Sequence, residues 1–194
     1  MMFTTTEVTT DLSGAYDVLC NRFGTASRLG NGVFGAAFAH PKRNDIVIKI
    51  GRNAPGMFGF EKADYIQEEP YLNWLRAAAK FPTKHAPKVY SVEVFHNADR
   101  GAGVVFAVIL ERLEPSYSAR SSAIQKLAPT IERVSDLTRK HKELMKSRNK
   151  DLRNLGHALD SVWSNHAKDL HAGNWLIRRN ADGSETPVIT DPAV

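Results

Sequence analysis

Three glycines at the spacing Gly30-x-Gly32-x-x-Gly35 lie between two short stretches of strand-forming residues. Glycine has no Cβ, so backbone built from it turns tightly and its N–H groups can approach phosphate oxygens. A dinucleotide-binding fold would require a helix to begin inside this motif. Another strand-like segment, residues 36–39, follows instead. The spacing therefore predicts a glycine turn between two antiparallel strands, either covering phosphates or forming a plain hairpin without a ligand.

The rest of the chain divides into a strand-rich part and a helical part. Apolar residues recur at helical spacing in some segments and alternate in others. We expect helices over residues 11–23, 70–80 and most of 121–166, strands over 45–50, 89–95, 104–110, 170–177 and 187–189, and turns at 97–101 and 180–183. This order predicts an α+β protein of two lobes, with residues 1–114 in the first and 115–194 in the second.

Composition limits the classes of protein that this chain can belong to. The 194 residues, 42% of them hydrophobic, are enough for one compact domain. The longest apolar stretches, such as residues 104–110, are too short to span a bilayer, and the N-terminus shows no secretory signal. Cys20 is the single cysteine, which excludes an intramolecular disulfide, and we expect it to pack as a small apolar residue. These features predict a cytoplasmic protein without membrane association.

A lysine interrupts the apolar strand that follows the glycine turn. Residues 45–50 are β-branched and alternating, and Lys49 lies among them. Lysine is rarely buried without a partner, so one interpretation is a solvent-facing lysine on an edge strand. After a glycine turn, however, Val47-Ile48-Lys49 matches the strand lysine of protein kinases, which contacts the α- and β-phosphates of ATP. Glu68 is the candidate ion-pair partner of this lysine, with Glu69 next to it.

The acidic and amide residues near the C-terminus form the most specific pattern in the chain. Asp169 is followed five positions later by Asn174, and Asp191 follows a strand–turn–strand segment. In a kinase catalytic loop, one Asp accepts the proton of the substrate hydroxyl, an Asn binds Mg²⁺ through its amide oxygen, and a further Asp chelates metal that bridges the phosphates. Carboxylate and amide oxygens are the hard ligands that Mg²⁺ prefers. Taken alone, these residues could also be ordinary turn and cap residues.

Several patches together resemble one family. They are Leu29-Gly30-Asn31-Gly32-x-Phe34, Ala36-Ala37, His40-Pro41, Val47-Ile48-Lys49, His171-x-Gly173-Asn174 and Ile189-Thr190-Asp191-Pro192. The chain is similar in these patches to the early serine/threonine protein kinases of short-tailed, T-seven-like lytic phages.

This resemblance implies a protein-kinase-like fold, with an antiparallel sheet in the N-lobe and a truncated helical C-lobe. It implies ATP and Mg²⁺ as cofactors. The nucleotide would be held by Gly30, Asn31, Gly32, Gly35, Lys49 and Glu68, and the metal by Asn174 and Asp191, with Asp169 and Lys49 as the catalytic residues. It also implies phosphorylation of host bacterial proteins, including RNA polymerase or RNA-processing enzymes, in the host cytoplasm.

The chain departs from the general kinase pattern at several places. Ala167 stands where many kinases have the His of His-Arg-Asp, and His171 replaces the loop lysine. Asp169-Leu170-His171-x-Gly173-Asn174 also resembles small-molecule phosphotransferases of the aminoglycoside-kinase type. The sequence ends soon after Asp191, which leaves a non-catalytic kinase-fold inhibitor of a host protein as a further alternative.

Two other features receive structural interpretations. The basic run over residues 139–153 is interpreted as a solvated helix face, and we expect no nucleic-acid partner, because aromatic residues are not interleaved with the basic ones. Trp74, Trp163 and Trp175 sit among apolar neighbours and are expected in the core.

Overall fold

A computed structural model describes residues 2–7, 12–23, 27–32, 35–53, 69–96, 103–115, 134–170 and 172–193. The protein is α+β and divides into two compact units. The first unit contains residues 1–69 and 88–112, and the second contains residues 70–87 and 113–194. The second unit has its longer segment from residue 113 onward, two residues before the expected start of the second lobe. It also takes up residues 70–87, which the sequence division places in the first lobe.

The first unit is built around a six-stranded sheet. Its strands are β1 (Met2–Glu7), β2 (Arg28–Gly32), β3 (Gly35–His40), β4 (Arg43–Asn53), β5 (Val89–His96) and β6 (Val104–Glu111). The spatial order is β1-β5-β6-β4-β3-β2, and all pairs are antiparallel except β1 with β5. The strands expected at 45–50, 89–95 and 104–110 are confirmed. Strand β1 was not predicted from the sequence.

Helix α1 (Leu12–Phe23) covers part of one face of this sheet, and the helix expected there is confirmed. Burial alternates along β4, with Ile46, Ile48 and Ile50 buried and the residues between them partly buried. Successive strand residues point to opposite faces, so the three isoleucines share one face. Ile48 and Ile50 pack with Cys20 of α1 in the core of this unit. The expected packing role of Cys20 is thus confirmed, and burial raises the pKa of its thiol.

The second unit contains three described α-helices, α2 (Pro70–Lys80), α3 (Val134–Leu144) and α4 (Lys150–Trp163). The helix expected at 70–80 is confirmed at both ends. Of the helical region expected at 121–166, residues 121–133 lie outside the described part. Trp74 is fully buried and Trp163 and Trp175 nearly so, as expected for core residues.

Local chemistry explains where α4 begins and how closely it packs. The side-chain oxygen of Asn149 accepts hydrogen bonds from the backbone N–H groups of Asp151 (2.9 Å) and Leu152 (3.3 Å), which caps the helix. Gly156 faces α3 at short range. A Cβ at Gly156 would lie 2.7 Å from Met145 N, so a larger residue would push the two helices apart.

A small sheet completes the second unit. Its strands are β7 (Glu114–Pro115), β8 (Trp175–Arg179) and β9 (Glu185–Ile189), in that order and antiparallel. The expected turn at 180–183 is confirmed, and Gly183 supplies its positive φ of 78°. The strand expected at 170–177 is wrong in its first part. Residues 172–174 form a 3₁₀ turn and the strand begins at Trp175. Across the described residues, no helix combines the length and the apolarity needed to cross a membrane.

Candidate functional site

The three glycines lie on a β-hairpin in the first unit. Strand β2 pairs with β3 so that Gly30 lies opposite Ala37, Asn31 opposite Ala36, and Gly32 opposite Gly35. The two residues between Gly32 and Gly35 lie outside the described residues. β2 ends at Gly32, and its partner strand begins at Gly35. The expectation of a strand–turn–strand glycine motif is confirmed.

Gly30 and Gly35 are glycines for different reasons. A Cβ added to Gly35 would lie 2.2 Å from the carbonyl oxygen of Ile50 and 2.8 Å from Gly51 Cα. Both neighbours are backbone atoms, so Gly35 is required by the close approach of β3 to β4. A Cβ added to Gly30 would meet no atom of the described residues within 4 Å. Packing among the described residues therefore does not explain why position 30 is a glycine.

Lys49 lies on a central strand rather than at an edge. It pairs with Ala37 of β3 on one side and with Val108 of β6 on the other. The alternation along β4 directs Lys49 to the face opposite Ile48 and Ile50, which pack against α1. The side chain of Lys49 therefore lies on the sheet face that α1 does not cover. Its neighbours on the adjacent strands are the partly buried Ala37 and the fully buried Val108.

The proposed partner of Lys49, Glu68, lies outside the described residues. Its neighbour Glu69 is described and is only 3% exposed, immediately before the first residue of α2. A carboxylate buried to this extent requires compensation by donors or a cation. The choice of Glu68 stays a prediction, and Glu69 is a second carboxylate to be tested with it.

In the second unit, the segment around Asp169 and Asn174 closes on itself. The side-chain Nδ2 of Asn174 donates a hydrogen bond of 2.5 Å to the carbonyl oxygen of Asp169. This contact fixes the amide plane, so Oδ1 of Asn174 points away from that carbonyl. The short 3₁₀ turn over Ala172–Asn174 makes the contact possible across five positions. Of this segment, His171 lies outside the described residues.

Backbone hydrogen bonds join the residues on either side of Asp191 to the same segment. Thr190 donates to the carbonyl oxygen of Asn174 from its backbone N (2.9 Å) and from its Oγ1 (3.1 Å). On the other side, the carbonyl oxygen of Pro192 accepts from Asp169 N at 3.0 Å. Asp191 is therefore held between two attachments, one to Asn174 and one to Asp169. The structure thus brings together Asp169, Asn174 and Asp191, the three residues selected from the sequence.

Further contacts support this arrangement, and they come from groups that were not selected for the site from the sequence. Trp163 at the end of α4 donates from Nε1 to the same carbonyl oxygen of Pro192, at 2.8 Å. The ring of His141 contacts Trp163 edge-on, with 4.9 Å between centroids. Lys168 and Ala193 form an isolated antiparallel bridge. The sequence signal for Trp163 was its apolar neighbourhood, which indicated core but not this hydrogen bond.

A buried histidine anchors the strand that leads to Asp191. His85 accepts at its carbonyl oxygen from Ile189 N (2.9 Å), and its Nδ1 donates to the carbonyl oxygen of Pro187 (2.9 Å). Burial lowers the pKa of His85, although the Pro187 carbonyl opposes that shift. The neutral ring is the form that fits this position. The end of β9 is consequently fixed on both sides of Val188.

The chemistry of the donor set suits a hard cation. Asn174 offers an amide oxygen and Asp191 a carboxylate, and both are oxygen ligands of the kind that Mg²⁺ accepts in proteins. No group of three or more His, Cys, Asp or Glu side chains able to hold a metal occurs in the described part of the chain. An amide and one carboxylate would form a partial site of the kind that a nucleotide completes.

Comparisons with known proteins do not assign the chain to a family. No protein-family model matches the chain, and the search of curated proteins found no match.

Proposed function

We propose that this chain is an ATP-dependent phosphotransferase with a protein-kinase-like two-lobe fold. The observation that carries the proposal is the set of hydrogen bonds that gathers Asp169, Asn174 and the residues flanking Asp191. These residues are separated by 5 and 17 positions along the chain. The antiparallel register of β8 and β9 brings Asn174 next to Thr190, and the two hydrogen bonds of the Asp169 backbone, to Asn174 and to Pro192, bring Asp169 to the same place.

Three residues of the second unit have distinct roles in the proposed reaction. Asn174 and Asp191 would hold Mg²⁺, which would supply positive charge against the phosphates of ATP. Asp169 orients the acceptor hydroxyl and accepts its proton. Positioning and charge neutralisation provide most of the rate enhancement in phosphoryl transfer, so the convergence of these groups is the feature that matters.

The first unit contributes the nucleotide-binding groups. The hairpin of Gly30, Asn31, Gly32 and Gly35 offers backbone N–H groups to the phosphates, and Lys49 offers a cation. The central position of Lys49 favours this role over the alternative of a solvent-facing lysine on an edge strand. Apolar neighbours strengthen its interaction with a phosphate, because the local dielectric is lower than in water.

Gly30→Ala is expected to weaken ATP binding by about tenfold, equivalent to about 1.4 kcal/mol. Its Cβ meets no atom in the described part of the chain, so the free energy of unfolding should stay within about 0.5 kcal/mol of the parent protein. Gly35→Ala should instead lower the free energy of unfolding by about 1–3 kcal/mol, because its Cβ overlaps the backbone of β4. Calorimetric titration with Mg·ATP and chemical denaturation measure the two effects.

Gly14→Ala is the matched control for this pair. Gly14 is an exposed glycine of α1, and a Cβ added to it also has no atom of a described residue within 4 Å. The Gly14→Ala substitution should leave ATP affinity unchanged and stabilise the helix slightly. Unchanged ATP affinity in Gly30→Ala would show that the hairpin does not hold phosphates.

The substrate class follows from the resemblance and is part of the proposal. The acceptors are serine and threonine hydroxyls of host bacterial proteins in the host cytoplasm, with the transcription and RNA-processing machinery as the first candidates. A net charge of +5 favours association with acidic protein surfaces.

Transfer of label from ATP tests the proposed function directly. The purified chain is incubated with ATP labelled at the γ-phosphate, Mg²⁺ and a bacterial protein extract. The proposal expects label in proteins at serine and threonine. Label in a small metabolite would favour the aminoglycoside-kinase type of activity, and no transfer above the rate without the chain would favour the non-catalytic inhibitor.

A further inference from the structure

A cavity of about 420 Å³ lies in the first unit, lined by residues of α1 and of the six-stranded sheet. Its apolar part comes from Ile48, Ala107 and Ile109 on the strands and from Leu19 on the helix. The volume falls within the range of about 300–1,000 Å³ that is usual for sites of small organic ligands.

This cavity is separate from the groups assigned to the nucleotide. Ile48 lines it, and Ile48 lies on the sheet face that packs against α1. Lys49 is the next residue of β4 and points to the opposite face. Ala107 pairs with Ile50, and Ile109 pairs with Ile48, which places both on the Ile48 face as well.

Two opposite charges border the apolar floor. Arg22, in the last turn of α1, lines the cavity from the helix, and Glu93 lines it from β5. Both side chains are exposed. Neither forms an ion pair with the other or with any residue that the structure describes. The cavity therefore presents a cation and an anion that do not neutralise each other.

We propose that this cavity binds a small zwitterion with an apolar body, of the chemistry of an aromatic α-amino acid. The apolar body would cover Ile48, Ala107 and Ile109, its carboxylate would face Arg22, and its ammonium would face Glu93. A purely anionic ligand would meet Glu93, and a purely cationic ligand would meet Arg22. The mixed charge of the rim thus selects a ligand that carries both signs. The hydroxyl of Ser91, beside Glu93 on β5, offers a further polar contact.

Three probes of the same shape separate the contributions of the two charges. L-phenylalanine carries both charges, N-acetyl-L-phenylalanine carries only the anion, and L-phenylalaninamide carries only the cation. Binding is followed by the methyl NMR signals of Ile48 and Ile109 in the intact chain without nucleotide. We expect phenylalanine to bind about two- to five-fold more tightly than either analogue, as for a pair of solvent-exposed charges. Equal binding by either analogue, or no shift with any probe at millimolar concentration, would overturn the proposal.

Variants at the rim and the floor complete the test. Arg22→Gln should remove the tighter binding of phenylalanine relative to phenylalaninamide. Glu93→Gln should remove the tighter binding of phenylalanine relative to N-acetylphenylalanine. Asp17→Asn on the same helix and Lys42→Gln in the β3–β4 turn are matched controls outside the lining and should change neither ratio. Ala107→Leu fills the floor and should abolish binding of all three probes. Binding that survives Ala107→Leu in a folded protein would place the ligand elsewhere and reject the cavity as its site.

Discussion

Asp169→Asn is expected to reduce phosphate transfer by about 10²–10⁴-fold while ATP affinity stays within a few-fold of the parent protein. The substitution removes the carboxylate that would accept the proton of the acceptor hydroxyl and keeps the shape of the side chain. The hydrogen bonds that join this position to Asn174 and Pro192 use the backbone carbonyl and N–H of Asp169, so they remain in the variant. The geometry of the loop should therefore survive, and transfer of labelled phosphate measures the loss.

Asp182→Asn is the control for this substitution. Asp182 lies in the exposed turn between β8 and β9, where its carboxylate accepts from the backbone N and hydroxyl of Ser184. Those hydrogen bonds lower the pKa of Asp182. The control should transfer phosphate at the parent rate. Full transfer by Asp169→Asn would reject the role assigned to Asp169, and His171 would become the next candidate for that role.

Local patterns predicted most of the described elements because the signal for each lies within a few residues. Alternation at 45–50 marked β4, and Pro70 followed by good helix formers marked the start of α2. Strand β1 lacks such a signal, since Phe3 is followed by three threonines without apolar alternation. What makes it a strand is parallel pairing with β5, with Phe3 opposite Val92. That partner is distant in sequence, so local pattern could not reveal it.

The same distinction applies to the candidate site. Spacing selected Asp169, Asn174 and Asp191, but it could not show that Pro192 accepts from Asp169 N while Trp163 donates to the same oxygen. Those contacts depend on how α4 and β9 meet the loop. Spacing also treated Gly35 as a phosphate-binding glycine like Gly30. Its close approach to Ile50 gives it a packing reason that only the strand register shows.

Asp191→Ala is expected to remove most of the effect of Mg²⁺ on ATP binding. In the parent protein, ATP should bind more tightly with Mg²⁺ than with a chelator, because a metal held by Asn174 and Asp191 would add its positive charge to the binding of the phosphates. Without the carboxylate, only the neutral amide oxygen of Asn174 would be left among the proposed protein ligands. We expect the affinity in Mg²⁺ to fall by about tenfold or more, equivalent to about 1.4 kcal/mol. The affinity measured with the chelator should stay within a few-fold of the parent value.

The structure gives reason to expect that this variant folds, so that the loss reports on the metal. The residues on either side of Asp191 are held by contacts of their own, from Thr190 to Asn174 and from Pro192 to Asp169 N and Trp163. Thermal unfolding of Asp191→Ala and of Asp182→Ala without ligand provides the comparison. Titrations with Mg²⁺ and with the chelator then separate two cases. A metal dependence lost only in Asp191→Ala supports the site, whereas equal ATP affinity of the parent protein in both conditions contradicts a metal held by Asn174 and Asp191.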